Sequence, residues 1–262
     1  MALEQITQSV IEIAKETGAF IREQRKTFSP DQIEVKGLND LVSYVDKTAE
    51  QQIVAALADV LPGAGFITEE KTINKTGERY NWIIDPLDGT TNFIHGLPVY
   101  SVSIALQEYD ELVVGVVYEI NLDECFYAWK GSAAYLNGHQ IKVSNTPTVD
   151  KSLLATGFPY YDFEKQTAYI ELFAELMRSC HGLRRLGSAA VDLAYTACGR
   201  FEGFYEYNLN AWDVAAGIVI VRQAGGDVVN FKGGDECLHT RELLATNGRI
   251  TKEMLQIIQK YF

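Results

Sequence analysis

Two aspartates, Asp85 and Asp88, stand three residues apart, directly after the apolar run Trp-Ile-Ile at residues 82–84. The run predicts a buried strand that delivers Asp85 at its end. Pro86 has no backbone N–H, so we expect it to break the strand's hydrogen-bond ladder there. One tight turn can then aim both carboxylates into one small volume, and Gly89 lets the backbone pass close to a bound group.

The residues around these aspartates add further oxygen and N–H groups. Leu87 offers a backbone carbonyl in an irregular turn, and Thr90 and Thr91 predict the start of a short helix. Carboxylate and carbonyl oxygens suit a hard metal ion, and a helix N-terminus suits a phosphate. The stretch therefore indicates a metal ion with a phosphate beside it. The alternative, on these residues alone, is an Asp-Pro turn with a surface aspartate.

Composition limits the class of protein that could carry such a site. With 262 residues and 47% hydrophobic content, the chain can bury a large core, as one domain or as two closely packed halves. A net charge of −12 disfavours nucleic acid as a partner. A bound divalent cation would still attract a small anionic substrate.

Cysteine spacing and hydropathy predict a soluble cytoplasmic protein. The four cysteines are far apart and form no CxxC pair, which argues against a zinc site and fits reduced thiols. The first residues include acids and lack the apolar segment of a signal peptide. No apolar run approaches the length of a membrane span, so we expect no membrane partner.

Hydrophobic periodicity predicts two helices and then a sheet in the first half of the chain. The first helix covers residues 3–26, and a polar loop follows over residues 28–40. A second helix opens at Leu41 and runs to about residue 59, with Asp40 or Ser43 as its cap. Sequential strands with short connections, up to about residue 143, predict an antiparallel sheet packed by these helices. Its strand at residues 99–107 alternates as a half-buried strand should.

The second half of the chain has a different pattern of elements. A helix over residues 163–179 should turn Ile170, Phe173, Leu176 and Met177 inward, and a small-residue helix should start at Ser188. An aromatic strand at residues 201–207 and a helix at residues 213–224 follow. The whole chain therefore predicts layered α and β elements in two coupled halves.

Acidic residues stand at the ends of several of these elements. They are Asp46, Glu69, Asp85 with Asp88, and Asp213. Each acid alone could simply be a helix cap or a strand-end residue; Asp213, for instance, suits an N-cap or the first turn of its helix. Sequence spacing does not show that these acids converge.

Two segments resemble the two signatures of the inositol monophosphatase family. Residues 82–93 resemble the first signature, and residues 212–217 with 224–226 resemble the second. Glu69-Glu70 stands at the family's Glu-Glu pair, and residues 40–46 resemble its DLVTxxD segment. The similarity covers almost the whole chain in family order. It implies a lithium-sensitive, magnesium-dependent phosphatase.

The resemblance also implies an architecture. The fold class is α/β (α+β), a layered αβαβα sandwich in one domain over residues 1–262, commonly as a homodimer. The N-terminal helices and antiparallel sheet would occupy about residues 1–145, and an α/β half about residues 146–262.

The resemblance implies a set of metal ligands and catalytic groups. The ligands for two or three Mg²⁺ ions would be Glu69, Asp85, the Leu87 carbonyl, Asp88 and Asp213. Asp85 would bridge two ions, and Glu69 would also hold a third ion through waters. Thr90 and Asp46 would orient and deprotonate the attacking water, and the N–H groups of Gly89 and Thr90 would hold the phosphate.

The resemblance also implies substrate-binding residues, again by position. These are Gly187, Ser188, Ala189 and Glu206, with Asp213 beside them. Arg184 matches a basic residue near the pocket, and Lys36 lies in what resembles a mobile loop. The chain departs from the family pattern at Thr68, Lys71 and Asn210.

The predicted activity is magnesium-dependent hydrolysis of myo-inositol 1-phosphate, a small phosphorylated polyol. The first alternative is a related phosphatase that acts on 3′-phosphoadenosine 5′-phosphate, fructose 1,6-bisphosphate or NADP. Residues 91–93 and Glu206 favour the inositol branch over that alternative. The second alternative is a regulatory binding protein that keeps the fold for a macromolecular partner.

Overall fold

The computed structural model describes residues 2–29, 33–37, 40–158 and 163–262. Its helices are α1 (Leu3–Thr27), α2 (Tyr44–Val60), α3 (Thr90–His95), α4 (Gln166–Ser179), α5 (Ala189–Ala197), α6 (Ala211–Gln223) and α7 (Thr251–Ile258). Its first nine strands are β1 (Ile33–Gly37), β2 (Asp40–Ser43), β3 (Gly65–Thr68), β4 (Tyr80–Asp88), β5 (Ser101–Glu108), β6 (Glu111–Glu119), β7 (Glu124–Trp129), β8 (Ala134–Leu136) and β9 (His139–Ile141). The remaining strands are β10 (Leu153–Thr156), β11 (Gly182–Arg184), β12 (Gly203–Tyr207), β13 (Asp227–Val229) and β14 (Glu242–Thr246).

Strands β3 to β9 form one sheet in sequence order. The pairs from β4 to β9 are antiparallel, as their short connections predict, and the β8–β9 turn holds Asn137 and Gly138 at positive φ. The prediction is wrong for β3, which pairs parallel with β4. The segment between them, residues 69–79, returns along β3 with a single bridge from Lys75 to Phe66, so β4 starts again at the same end.

Both faces of this sheet are covered by helices. Trp82, Ile84 and Ile104 face the core that α1 and α2 share, whereas Ile83 and Ala105 face the core formed with α5 and α6. Strand β5 is therefore buried on both faces rather than half-buried as its alternation predicts. The residues on its second face are small, which lets α6 pack closely against it.

A second sheet has the strand order β11-β10-β12-β14-β13 and mixes parallel with antiparallel pairs. Phe204 and Ala245 turn one of its faces to α5 and α6. Its other face packs against α4 and α7. The order of layers is thus α1 and α2, the first sheet, α5 and α6, the second sheet, then α4 and α7. This order confirms the αβαβα sandwich.

The start of α2 differs from the sequence prediction. The expected loop contains β1, which pairs antiparallel with β2, and α2 begins at Tyr44 rather than Leu41. Ser43 is the cap: its side chain accepts a hydrogen bond from the N–H of Val45, and its own N–H donates to Asp46. Lys36 lies on β1, but its predicted role concerns a side chain outside those that the structure describes.

Helix α4 is rotated from the predicted orientation. It begins at Gln166, and the exposed fractions of Ile170 and Met177 are 52% and 60%. Its buried residues are Tyr169, Leu172 and Leu176, so the prediction is confirmed for Leu176 and wrong for Ile170 and Met177. Tyr169 determines which face of α4 is buried. Its hydroxyl hydrogen-bonds within the core, and its ring packs against two tyrosines of β12.

Among the described residues, no helix is both long enough and apolar enough to cross a bilayer.

Candidate active site

Strand β4 contains a bulge at the two aspartates of the opening motif. Asp85 lies opposite Ser103 and Asp88 lies opposite Ser101, so three steps on β4 match two on β5. Pro86 therefore interrupts the ladder without ending the strand, because pairing resumes at Asp88. The N–H of Leu87 turns inward and donates to Asp85 Oδ1 at 3.0 Å. The bulge places both carboxylates at the same end of the strand.

Helix α3 begins directly after the bulge, as predicted. Gly89 has a left-handed φ of +99°, which makes the turn into the helix. Thr90 Oγ1 lies 2.9 Å from Asp46 Oδ1 and 3.1 Å from the Leu87 carbonyl oxygen. Its single proton can serve one of these acceptors at a time. The structure thus brings Thr90 and Asp46 into contact across 44 residues of sequence.

Asp46 is fixed by the capping box of α2. Its Oδ2 accepts hydrogen bonds from the N–H of Ser43 at 2.9 Å and from Ser43 Oγ at 2.7 Å. Burial raises the pKa of Asp46, although these bonds and Thr90 favour the charged form. An acid with one oxygen fixed and the other on Thr90 is well placed to take a proton through that hydroxyl.

Asp88 is fixed by the start of α5. Its Oδ2 accepts hydrogen bonds from Ser188 Oγ at 2.5 Å and from the N–H of Ala190 at 2.8 Å. Ser188 also caps α5 by accepting from the N–H of Val191. Burial raises the pKa of Asp88 to about 6. The structure therefore shows Ser188 in contact with Asp88; its predicted role in substrate binding stays a prediction.

Asp213 lies in the first turn of α6, where its Oδ2 accepts a hydrogen bond from the N–H of Asn210 at 2.6 Å. Burial, with the charge of Asp88, raises its pKa to about 7. Burial and the charges of Glu69, Asp88 and Asp213 also raise the pKa of Asp85. Asp85 is therefore close enough to sense the charges of Glu69, Asp88 and Asp213, and these four acids, which are separate in the sequence, form one electrostatic cluster.

A cleft of about 160 Å³ opens beside this cluster. Three of its lining residues, Glu69, Asp88 and Asp213, belong to the acid cluster, and we call this part of the lining the Asp88 end. We call Gly157, Asp192 and Glu206, which also line the cleft, the Glu206 end. The predicted substrate-binding residues Gly187, Ser188 and Ala189 line the same cleft.

Glu206 is packed tightly against the end of β10. A Cβ atom added at Gly157 would lie only 2.0 Å from Glu206 Oε2, so only glycine leaves room for the carboxylate there. Burial and the charge of Asp213 raise the pKa of Glu206 well above its usual range. Gly157 is a residue that the sequence prediction missed.

Three further residues of the site were missed. Asp192 lines the cleft with Oδ1 buried and without a hydrogen-bond partner. Its spacing from Ser188, one helical turn, could have indicated the same face of α5. Asn92 donates to the carbonyls of Val99 and Leu186, which ties α3 to the segment that leads into α5.

The third is Arg185, which lines the cleft in place of the predicted Arg184. The Arg185 guanidinium lies 5.7 Å from the centre of the Phe158 ring. Arg184 is exposed and donates to the Leu183 carbonyl beside it. The resemblance indicated Arg184 rather than its neighbour Arg185, and β11 ends between these two adjacent arginines.

The donor chemistry of the Asp88 end fits Mg²⁺. Every candidate ligand there is an oxygen, as that ion prefers, and the carboxylates have pKa values raised by burial and by one another. A divalent cation would relieve both effects. In the parts of the chain that the structure describes, no three His, Cys, Asp or Glu side chains form a closed group around an ion position.

The fold and the site together define a class: a layered αβαβα protein with a buried cluster of oxygen ligands at one end of a cleft. Comparisons with known proteins agree. The model of the inositol monophosphatase family matches residues 2–261. Nus factor SuhB of Escherichia coli K12 is 42% identical over 248 residues, which are 94% of this chain and 92% of that protein. Inositol-1-monophosphatase of Mesorhizobium japonicum is 38% identical over 230 residues, 87% of this chain and 86% of its own.

A solved structure shows the same fold over its full length. The extragenic suppressor protein suhB from Bartonella henselae has a TM-score of 0.93 and 36% identity, and the match covers 98% of this chain and 100% of that chain. This chain belongs to the inositol monophosphatase family. The family is generally metal-dependent, and the family and relatives indicate a phosphatase.

Proposed function

We propose that this protein is a magnesium-dependent phosphomonoesterase that hydrolyses myo-inositol 1-phosphate to inositol and phosphate. One observation carries the proposal: acids of a single electrostatic cluster and the carboxylate of Glu206 line the same cleft. The Asp88 end suits metal ions and a phosphate, and the Glu206 end suits the hydroxyl groups of a polyol. Relatives named inositol-1-monophosphatase support this substrate class.

The metal ligands would be Glu69, Asp85, the Leu87 carbonyl, Asp88 and Asp213. Together they would bind two or three Mg²⁺ ions. When bound, such ions neutralise phosphate charge and lower the pKa of a water molecule. The bulge in β4 and the starts of α5 and α6 hold one oxygen of each aspartate in place. The second carboxylate oxygen of each aspartate takes no part in these bonds.

Thr90 and Asp46 would activate the attacking water. Thr90 Oγ1 donates to Asp46 Oδ1, so its lone pairs can accept a hydrogen bond from the water and orient it. As the water loses a proton to Thr90, the threonine proton moves to Asp46, whose buried carboxyl has a raised pKa. The N–H groups of Gly89 and Thr90 would hold phosphate oxygens, and the reaction would need no phosphoenzyme.

Glu206 would select the substrate by accepting hydrogen bonds from polyol hydroxyls, beside Gly187, Ser188, Ala189 and Asp213. A carboxylate at this end disfavours a second phosphate, because like charges repel. We therefore favour a polyol monophosphate over fructose 1,6-bisphosphate, 3′-phosphoadenosine 5′-phosphate or NADP. We further propose a cytoplasmic, lithium-sensitive homodimer.

Phosphate release tests this proposal. We expect magnesium-dependent release from myo-inositol 1-phosphate, inhibited by lithium, to exceed release from the bisphosphate and nucleotide esters. Preference for a nucleotide ester would move the assignment to the related phosphatases. Absence of magnesium-dependent release from every ester in the panel would refute the phosphatase assignment itself.

A second candidate function is a regulatory role in transcription. It is favoured by the 42% identity to proteins named Nus factor SuhB. We expect a tagged protein to retain bound components of the transcription apparatus if it has this role, and an Asp85→Asn variant to retain them equally. The charge of −12 disfavours direct contact with nucleic acid, so nuclease treatment should leave such a complex intact.

A further inference from the structure

Glu50 is a fully buried acid to which the mechanism above gives no role. It lies on α2 with an exposed fraction of 0%, one helical turn after Asp46. An ionised carboxylate at such a position requires strong hydrogen-bond partners. Its partners show what it does.

The Glu50 carboxylate accepts three hydrogen bonds from the segment that follows β3. Its Oε2 accepts from the N–H of Glu70 at 2.7 Å. Its Oε1 accepts from the N–H of Thr72 at 2.8 Å and from Thr72 Oγ1 at 2.7 Å. Lys71 between them has a φ of +54°, a left-handed conformation that lets the N–H groups on either side of it point toward one anion.

These bonds fix the position of Glu69. On one side of Glu69, its own N–H donates to the carbonyl of Ile84 on β4 at 3.3 Å. On its other side, the next residues are tied to Glu50. The backbone of Glu69 is therefore held between β4 and α2, and the side chain that starts from it lines the Asp88 end of the cleft.

Helix α2 thereby supports two parts of the site at once. Asp46 and Glu50 are four residues apart, so they share one face of the helix. Asp46 contacts Thr90 on α3, and Glu50 contacts the segment that carries Glu69. The spacing of the two acids on α2 therefore sets the spacing between the water-activating pair and a metal ligand.

We propose that Glu50 is a positioning residue that holds Glu69 for metal binding and so sets the Mg²⁺ affinity of the site. The inference rests on the proposed function, because it takes Glu69 as a ligand. Glu50 is not among the residues that line the cleft. Its effect should therefore fall on metal affinity, with little effect on turnover once the metal site is filled.

The test is Glu50→Gln, which keeps the shape of the side chain. Donors approach both carboxylate oxygens, so the NH₂ group of glutamine must face at least one of them. We expect the Mg²⁺ concentration at half-maximal activity to rise roughly 10- to 100-fold, as for other residues that orient metal ligands. We expect kcat at saturating Mg²⁺ to stay within a few-fold of wild type. Calorimetric titration with Mg²⁺ alone should show the same loss of affinity.

Two further variants keep the test decisive. Thr72→Val removes one of the three bonds and should raise the half-maximal Mg²⁺ concentration about 3-fold, the effect of one net hydrogen bond. Asp59→Asn, an exposed acid on the same helix, should leave it unchanged. If Glu50→Gln does not fold, Thr72→Val decides.

The inference is overturned if Glu50→Gln lowers the melting temperature while the Mg²⁺ dependence stays that of wild type. For Thr72→Val, an unchanged Mg²⁺ dependence would overturn it in the same way. Failure of the proposed function looks different, because the wild-type protein itself would then show neither Mg²⁺ binding nor Mg²⁺-dependent turnover.

Discussion

The two ends of the cleft hold their acids in different ways. At the Asp88 end, Asp88 and Asp213 each accept a backbone N–H from the start of a helix. At the Glu206 end, Glu206 is placed by close packing against Gly157, and Asp192 has one buried oxygen without a partner. Hydrogen bonds from a rigid backbone fix a carboxylate in direction as well as place. Packing alone fixes only its place.

This difference matches what each end would bind. A metal ion demands oxygens at narrow distances, so ligand directions must be set before binding. Substrate hydroxyls rotate and adapt to an acceptor, so a packed carboxylate is sufficient. The comparison implies that damage at the Asp88 end should abolish the reaction, whereas damage at the Glu206 end should change only the choice of ester.

The largest effect is expected from Asp85→Asn. Asp85 senses the charges of Glu69, Asp88 and Asp213 together. Loss of its carboxylate should therefore weaken the binding of every Mg²⁺ ion that the cluster would hold. Metal ions contribute several kcal/mol to such reactions, so kcat/KM should fall on the order of 10³-fold with all esters. Asp110→Asn, on the exposed β5–β6 turn, is the matched control. Normal phosphate release by Asp85→Asn would show that the acid cluster is not required for the reaction.

The next effect is a dependence of stability on pH in the presence of a chelator. The folded pKa values of Asp88 and Asp213 are about 6 and about 7, above the value of 3.8 for a free aspartate. Between about pH 4 and 7 the folded state therefore binds more protons than the unfolded state. Its stability should fall as pH rises through this window, and each tenfold difference in proton affinity corresponds to about 1.4 kcal/mol.

Urea denaturation with and without Mg²⁺ measures this effect. At pH 8, a Mg²⁺ concentration 100 times its dissociation constant should restore about 2.7 kcal/mol. At pH 5 the ion competes with protons and should restore much less. Equal stabilisation by Mg²⁺ at both pH values would show that the acids of the Asp88 end do not bind it.

Gly157→Ala tests the Glu206 end. The added Cβ would collide with the Glu206 carboxylate and displace it, at a cost of about 1–3 kcal/mol. KM for myo-inositol 1-phosphate should rise about 10-fold, whereas turnover of p-nitrophenyl phosphate, which has no hydroxyl groups to read, should stay near that of wild type. Glu206→Gln should show the same split between esters. An equal loss with both esters would mean that the two ends of the cleft do not act separately.

The layers and most elements followed from hydrophobic periodicity, because burial enforces it. The start of α5 at Ser188 and the first turn of α6 at Asp213 were visible in this way, whereas the αβαβα order was implied by the resemblance to the family. The orientation of α4 was not visible, because Tyr169 and Ile170 begin two stripes of equal spacing. The face that carries Tyr169 is buried because Tyr169 contacts β12, which is distant in sequence.

The candidate site was predictable to a different extent. Resemblance to the family indicated Glu69, Asp85, Asp88 and Asp213, and the structure brings them into one electrostatic cluster. The supporting role of Glu50 carried no sequence signal. Glu50 is one more acid in a helix, and its role depends on three hydrogen bonds from another segment.

The smallest effect is expected from Lys71→Gly, next to the segment that Glu50 holds. Lys71 has a φ of +54°, which costs a non-glycine residue about 1 kcal/mol. Glycine removes this strain but gains freedom in the unfolded state, so the free energy of unfolding should rise by only about 0.5 kcal/mol. If the Glu50 carboxylate fixes Glu69, the half-maximal Mg²⁺ concentration should not change. A marked rise in that concentration would show that the restricted backbone at Lys71 helps to place Glu69, so that hydrogen bonds alone do not fix the Asp88 end.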